Sequence, residues 1–276
     1  MISADQRHLQ TRIRQDLGVS DDFDAAAEIE RRVQFLTDLL RQTGARALVL
    51  GISGGVDSLT AGCLAQRAVQ RLRQQGGDAR FVAMRLPYGV QLDESDAQGG
   101  LQVINPDEIL VVDVQPASDA ILAAVQAAGQ GFRDAAQQDF LHGNIKARQR
   151  MIAQYAVAGA QGGLVVGTDH AAEALMGFFT KFGDGAADVT PLAGLNKRRV
   201  RALASALGAD DALVYKVPTA DLESLQPLRP DEDAFGVSYD QIDDFLEGKA
   251  IPQAAFDTII ATWRRSAHKR ALPIAP

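Results

Sequence analysis

Four short apolar runs, ALVLGI (47–52), RFVAMRLP (80–87), EILVVDV (108–114) and GLVVGT (163–168), recur along the chain with helical stretches between them. Each run is nearly continuous rather than alternating. A half-exposed strand shows apolar residues at every second position, so continuous runs predict strands buried on both faces. Between them lie SLTAGCLAQRAVQRLRQ, SDAILAAVQAAG and IKARQRMIAQYAVAGA. This β-α-β-α order predicts an α/β fold, a doubly wound parallel sheet with helices on both faces. Extra helices flank it. Leu9, Ile13 and Leu17 mark one near the N-terminus, and Ile29, Val33, Leu36 and Leu40 mark a second. The last third is less regular: FFTKFGDGAADVTPLAGL reads as a long, mobile loop and KVPTADLESLQPLRPDEDAFGVSY as another irregular stretch. Segments of that length without periodicity are functional or disordered. PQAAFDTIIATWRRSAHKR returns to helix. One domain over 1–276 is expected, with N-terminal helices over 1–45, a core over 46–220 and a C-terminal loop with helices over 221–276.

At 46% apolar and 23% charged residues, the 276-residue chain has material for a sizeable core. A net charge of −7 argues against nucleic acid as partner, since such binding leans on clustered Lys and Arg. Small anions need only local positive charge. Cys63 is the single cysteine, so no intramolecular disulfide forms and a reducing cytoplasm is expected. The opening MISADQRHLQTRIRQDLG lacks the apolar stretch of a signal peptide, and no run approaches membrane-spanning length, so no membrane partner is expected.

The first run leads directly into SGGVDS (53–58) and then into a helix. Gly54 and Gly55 allow a tight turn and close backbone approach to a ligand. The helix N-terminus presents free N–H groups to an anion, and Ser53 and Ser58 add hydroxyls. A P-loop would carry Lys before its last hydroxyl residue; here Asp57 stands there. An aspartate beside phosphate requires a cation between them, and Mg²⁺ binds through one or two carboxylates plus phosphate oxygens. The plainer reading is a helix start after a tight turn, with Asp57 favourable in the first turn.

SGGVDS resembles the SGGxDS loop of the N-type ATP pyrophosphatases, which cleave ATP to AMP and pyrophosphate. Further along, GTDHAAEALMGFFTKFGDGAADVTPLAGLNKRRVR resembles the hallmark segment of the NAD synthetases, as do NIKARQRM, PTADLE, DEDAFGVSYDQIDDFLEGK and the terminal His-Lys pair. The resemblance implies an adenine nucleotide alpha hydrolase-like fold and ATP-dependent joining of ammonia to deamido-NAD through an acyl-adenylate. ATP is then co-substrate and Mg²⁺ cofactor, with a homodimer holding deamido-NAD at its interface. ATP would contact Gly51, Ile52, Ser53, Gly54, Gly55, Val56, Asp57, Ser58, Arg85, Gln91, Thr168, Lys197 and Thr219. Asp57 and Glu173 would hold the metal, and both would serve catalysis with Lys197. Arg148, Lys181, Asp188, His268 and Lys269 would contact deamido-NAD, and His170 matches a structural histidine. Ala186 departs from the family's usual GDGG. The buried-hydrophobe reading of Cys63 and the absence of room for a glutaminase domain imply free ammonia as nitrogen donor.

Two of these positions carry weight from the residues alone. Arg148 falls inside the helical stripe Leu141, Ile145, Ile152 and Tyr155, while Arg150 points to the other side. A guanidinium on an apolar face needs an anionic partner; the plainer reading is a structural ion pair or a snorkelling side chain. Lys197, Arg198 and Arg199 open the helix KRRVRALASALG, and three cations at a helix's positive end call for an anion. A solvated basic turn is the alternative. Rival functions are another SGGxDS enzyme, tRNA-thiolating or GMP synthetase-like, and a nucleotide-binding module without turnover. One cysteine and an acidic composition count against the thiolating enzyme. The paired carboxylates Asp57 and Glu173 count against the module.

Overall fold

The computed structural model describes residues 3–89, 94–219, 222–227, 229–271 and 273. Gln91 lies outside the described residues. The chain opens with α1 (Ala4–Asp16) and α2 (Ala25–Thr43), capped by Ser3 and Asp24 at their N-termini. Then come β1 (Ala47–Gly51), α3 (Val56–Gln74), β2 (Arg80–Arg85), α4 (Glu94–Ile104), β3 (Glu108–Val111), α5 (Gln115–Ala127), α6 (Ala135–Gln161) and β4 (Gly163–Val165). Short and medium helices follow: α7 (Ala171–Met176), α8 (Lys197–Ala206), α9 (Asp211–Val214), α10 (Asp231–Phe235), α11 (Tyr239–Leu246), α12 (Gln253–Arg265) and α13 (Ala267–Arg270). No helix among the described residues is long and apolar enough to cross a membrane.

The strands form a parallel sheet in the order β3-β2-β1-β4. Strand residues alternate between faces, and the packing follows. Leu48, Leu50, Phe81 and Ala83 point into a core with α2, α3 and α8. Ala47, Val49, Val82, Met84 and Val165 point the other way, toward α6. The expected doubly wound sheet is therefore present. Because β1 lies between β2 and β4, the chain leaves it in opposite directions. Ligands bind at such a switch point, beyond the C-terminal strand ends.

Two expectations are corrected. EILVVDV does not form a doubly buried strand: β3 is an edge, with Ile109 49% and Val111 69% exposed. Its apolar character comes from position rather than burial within this chain. The stretch FFTKFGDGAADVTPLAGL is not a loose loop. Val166 pairs with Val189 in a parallel bridge, Gly167 N donates to Val189 O (2.8 Å), and Leu192 and Leu195 are buried in the main core. A second apolar cluster joins α1, α7, α11 and α12 through Ile13, Leu175, Ile242, Phe245, Phe256 and Ile259. This cluster fixes α11 beside α8, which matters for the site.

Candidate active site

The 53–58 loop joins β1 to α3. Gly54 has φ +88°, and a Cβ there would come within 2.9 Å of the Ala97 backbone nitrogen, so only glycine allows the loop to lie against α4. The serines brace the turn: Ser58 Oγ donates to Gly55 O (3.0 Å), and Gly55 N donates to Ser53 Oγ (3.3 Å). The N-cap of α3 is Gly55, and no side chain caps its first turn. The first N–H groups of a helix have no partner within it. Uncapped and facing a cavity, they form a seat for an anion.

Asp57 sits on that first turn. Its Oδ2 accepts from the Lys197 ammonium at 2.7 Å. Its Oδ1 is buried without a hydrogen-bond partner and lies 3.4 Å from His170 Nε2. His170 caps α7, its Nδ1 accepting from Glu173 N (3.4 Å). With Nδ1 an acceptor, the proton of the neutral ring is on Nε2, facing Asp57. Glu173 Oε2 is 3.7 Å from the same Nε2. Burial works to raise the Asp57 pKa, but the Lys197 charge and the neighbouring His170 hold it well below the usual carboxylate range. Burial, with Asp57 next to it, pushes Glu173 well above that range. Burial works to lower Lys197, yet Asp57 and Glu173 keep it raised and charged. Burial lowers His170 and leaves it neutral.

This set suits a hard cation. Ligand atoms of Asp57, His170 and Glu173 lie within 4.8 Å of one another. Because His170 directs a proton inward, the donors are the two carboxylates, and oxygen donors with remaining positions for phosphate and water match Mg²⁺. The orphaned Oδ1 of Asp57 gives a cation a reason to bind there.

A cavity of about 420 Å³ opens over the cluster. It gathers Gly51, Ile52, Ser53, Gly55, Val56, Asp57, Ser58, Arg85, Thr168, Glu173, Lys197, Thr219 and Lys269. Arg85 is buried, donates to Ile52 O and pairs with Glu94 at 2.6 Å. Gly54, in the same loop, lies against Ala97 of α4 and does not line the cavity. Arg148, Lys181, Asp188 and His268 are not in the cavity wall. Three of them are linked to one another: Arg148 Nη2 donates to Lys181 O (3.2 Å), and Lys181 Nζ donates to His268 O (2.6 Å). Asp188 instead accepts from Val165 N (2.7 Å) and Tyr155 Oη (3.4 Å).

The Arg148 argument is corrected in one respect. Leu141 (38%) and Ile152 (51%) of its stripe are exposed, as is Arg148 itself, and Ile145 and Tyr155 are only partly buried, so within a single chain no full apolar burial demands an anion. The buried side of α6 carries Gly143, Lys146, Ala147 and Ala158. Arg150 lines the cavity and donates to Leu86 O (3.0 Å). Lys146 is buried over the Tyr88 ring (4.1 Å) and ties down the 222–224 segment through Leu222 O (3.0 Å) and Ser224 Oγ (2.8 Å). Sequence reasoning gave no site role to Lys146, Arg150, Asp184, Asp231 or Asp243. For Asp243 a signal existed: Tyr239, Ile242, Asp243 and Leu246 form one helical stripe, and a carboxylate on it needs a buried partner.

Residues 28–273 match the family model described as NAD synthase. The NH(3)-dependent NAD(+) synthetase of Streptomyces coelicolor is 66% identical over 268 residues, 97% of each chain. The solved NAD+ synthetase of Burkholderia pseudomallei superposes with a TM-score of 0.86 at 61% identity, over 99% of this chain and all of that one. The NMN synthetase structure from Francisella tularensis gives 0.80 at 36% identity, over 92% of this chain and 99% of that one.

Proposed function

The chain belongs to the NAD synthase family, and from that premise we propose that it amidates deamido-NAD with ammonia, converting ATP to AMP and pyrophosphate. The observation that carries the reading is Asp57. It stands on an uncapped helix start, with one oxygen on a buried lysine and the other buried without a partner. A carboxylate beside a lysine at that seat can hold Mg²⁺ against the phosphates of ATP, and the family supplies the pyrophosphate-releasing chemistry.

A carboxylate is a poor electrophile near neutral pH, so activation comes first. The nicotinate oxygen attacks the α-phosphorus of ATP, giving an acyl-adenylate and releasing pyrophosphate. The α3 N–H groups and the Lys197 ammonium stabilise the charge that builds on the phosphates. Asp57 and Glu173 would hold Mg²⁺, which when bound neutralises phosphate charge. Arg85, Thr168 and Thr219 line the same cavity and orient the nucleotide. Ammonia then attacks the acyl carbon, and AMP leaves. One of the carboxylates of the cavity wall, Asp184 among them, would take the proton that ammonium must lose. Cys63 has no part: it is buried and its thiol is pushed up to about 11 by that burial. Free ammonia as donor and a cytoplasmic setting accord with it.

Arg148, Lys181, His268 and Lys269 form the rim on which the rest of the dinucleotide lies. Exposed apolar side chains continue beyond it, Ile121 and Val125 on α5 and Leu141 and Ile152 on α6. A second copy covering that face makes a homodimer and brings Arg148 into a desolvated interface.

The neighbour named NMN synthetase motivates a second substrate, the mononucleotide counterpart. The test is to incubate the protein with ATP, Mg²⁺ and ammonium plus either deamido-NAD or nicotinate mononucleotide. NAD, AMP and pyrophosphate in equal amounts, with a higher kcat/KM for the dinucleotide, are expected. Preference for the mononucleotide selects the second reading, and ADP with phosphate rejects the adenylate.

A further inference from the structure

The first turn of α8 poses a problem of charge. Lys197, Arg198 and Arg199 occupy its positive end, and Lys197 is 1% and Arg199 7% exposed. The answer comes from α11. Asp243, 2% exposed, accepts from Lys197 N through Oδ1 (3.0 Å) and from Arg198 N through Oδ2 (2.7 Å). Asn196 Oδ1 takes the third N–H, from Arg199 (2.9 Å). The α8 N-terminus is thus closed by side chains, whereas that of α3 is open. Of these two helices, only α3 has backbone N–H groups to offer phosphate. Lys197 acts through its ammonium alone, so its direction must be fixed.

α11 holds that ammonium at a second point. Tyr239 lies one helical turn before Asp243 on the same stripe. Its ring centroid is 5.0 Å from Lys197 Nζ, and its hydroxyl donates to Asp231 Oδ2 (3.0 Å). One helix face therefore grips the main chain of Lys197 through Asp243 and its charged tip through Tyr239.

We propose that Asp243 is a positioning residue for Mg·ATP: its carboxylate fixes the start of α8 so that the Lys197 ammonium is delivered to Asp57 and the pyrophosphate loop. This rests on the reading of that loop as the ATP phosphate site. The two backbone donors demand two acceptor oxygens. Replacing the carboxylate by an amide, as in Asp243→Asn, would leave one acceptor oxygen and turn an NH₂ group toward the other N–H at a buried position.

The test is Asp243→Asn, made in the wild type and in Lys197→Met, with Mg·ATP affinity measured by calorimetric titration and melting temperature recorded for all four proteins. In the wild-type background affinity is expected to fall roughly tenfold to a hundredfold, the range for hydrogen bonds to a charged group. In the Lys197→Met background the same change is expected to cost less than about twofold, because the lysine it positions is gone. Equal losses in both backgrounds, or a lowered melting temperature with unchanged affinity, overturn the proposal. Should Asp243→Asn not fold, Asp243→Glu carries the same comparison, since it keeps the charge and displaces it by one methylene. ATP binding does not depend on which acid is amidated. A protein that binds Mg·ATP yet makes no NAD contradicts the proposed function and leaves this test standing.

Discussion

Asp57 meets a lysine, a histidine and a glutamate within one small volume, and its loss separates two roles. Asp57→Asn removes the counter-charge of a buried ammonium. Breaking a buried pair typically costs about 3–5 kcal/mol. Here the loss is partly offset, because the Asp57 charge is one of the causes that keep Glu173 raised. Once it is gone, Glu173 ionises more readily and becomes the partner of Lys197. We therefore expect a modest fall in melting temperature but a fall in kcat of about a hundredfold or more, the scale for losing a group that stabilises transition-state charge. Steady-state kinetics at saturating Mg²⁺, beside thermal melts, check this. Near-normal turnover would remove Asp57 from the metal and phosphate site.

At the scale of elements, α8 and α11 are fastened by more than Asp243. Glu247, at the end of α11, accepts from Asn196 Nδ2 (2.8 Å) and pairs with Arg198 (2.9 Å) and Lys249 (2.6 Å). Burial works to raise its pKa, but hydrogen bonds from Lys249 and Asn196 and the Arg198 charge bring it down from 4.5 to about 2. A folded pKa below the unfolded one gives stability that is present above pH 4.5 and is lost as the pH falls toward 2. Glu247→Gln should flatten the acid limb of the stability curve in that window. Urea titrations at about pH 5, 4 and 3, spanning the range over which such a carboxylate takes up its proton, measure it, and an unchanged limb would mean the contact contributes nothing. These fastenings were not legible in the sequence. Which carboxylate of DEDAFGVSYDQIDDFLEGK meets which helix depends on the second core, whose parts come from opposite ends of the chain.

For the whole molecule, the sheet, the SGGVDS loop between β1 and α3 and the helix carrying Lys197 were all readable, because each is encoded locally by apolar periodicity and glycine placement. What periodicity could not tell was which apolar surface is covered by this chain. The stripe holding Leu141 and Ile152 and the strand holding Ile109 and Val111 look buried in sequence and are exposed in one copy. The same ambiguity put Arg148 in an apolar setting that a single chain does not supply. The proposed dimer across α6 would account for the α6 stripe and for Arg148; Ile109 and Val111, in register with Ala83 and Arg85, lie on the other face of the sheet. Ile152→Asp should then shift sedimentation from dimer to monomer and weaken deamido-NAD binding, while Mg·ATP binding changes less. A variant that stays dimeric would move the interface elsewhere.

The adenylate itself can be followed atom by atom. Deamido-NAD labelled with ¹⁸O in its carboxylate is turned over with ATP, Mg²⁺ and ammonium, and the products are analysed by mass spectrometry. If the carboxylate attacks the α-phosphorus, one labelled oxygen passes to AMP and the pyrophosphate stays unlabelled. Label in inorganic phosphate, with unlabelled AMP, would contradict the account.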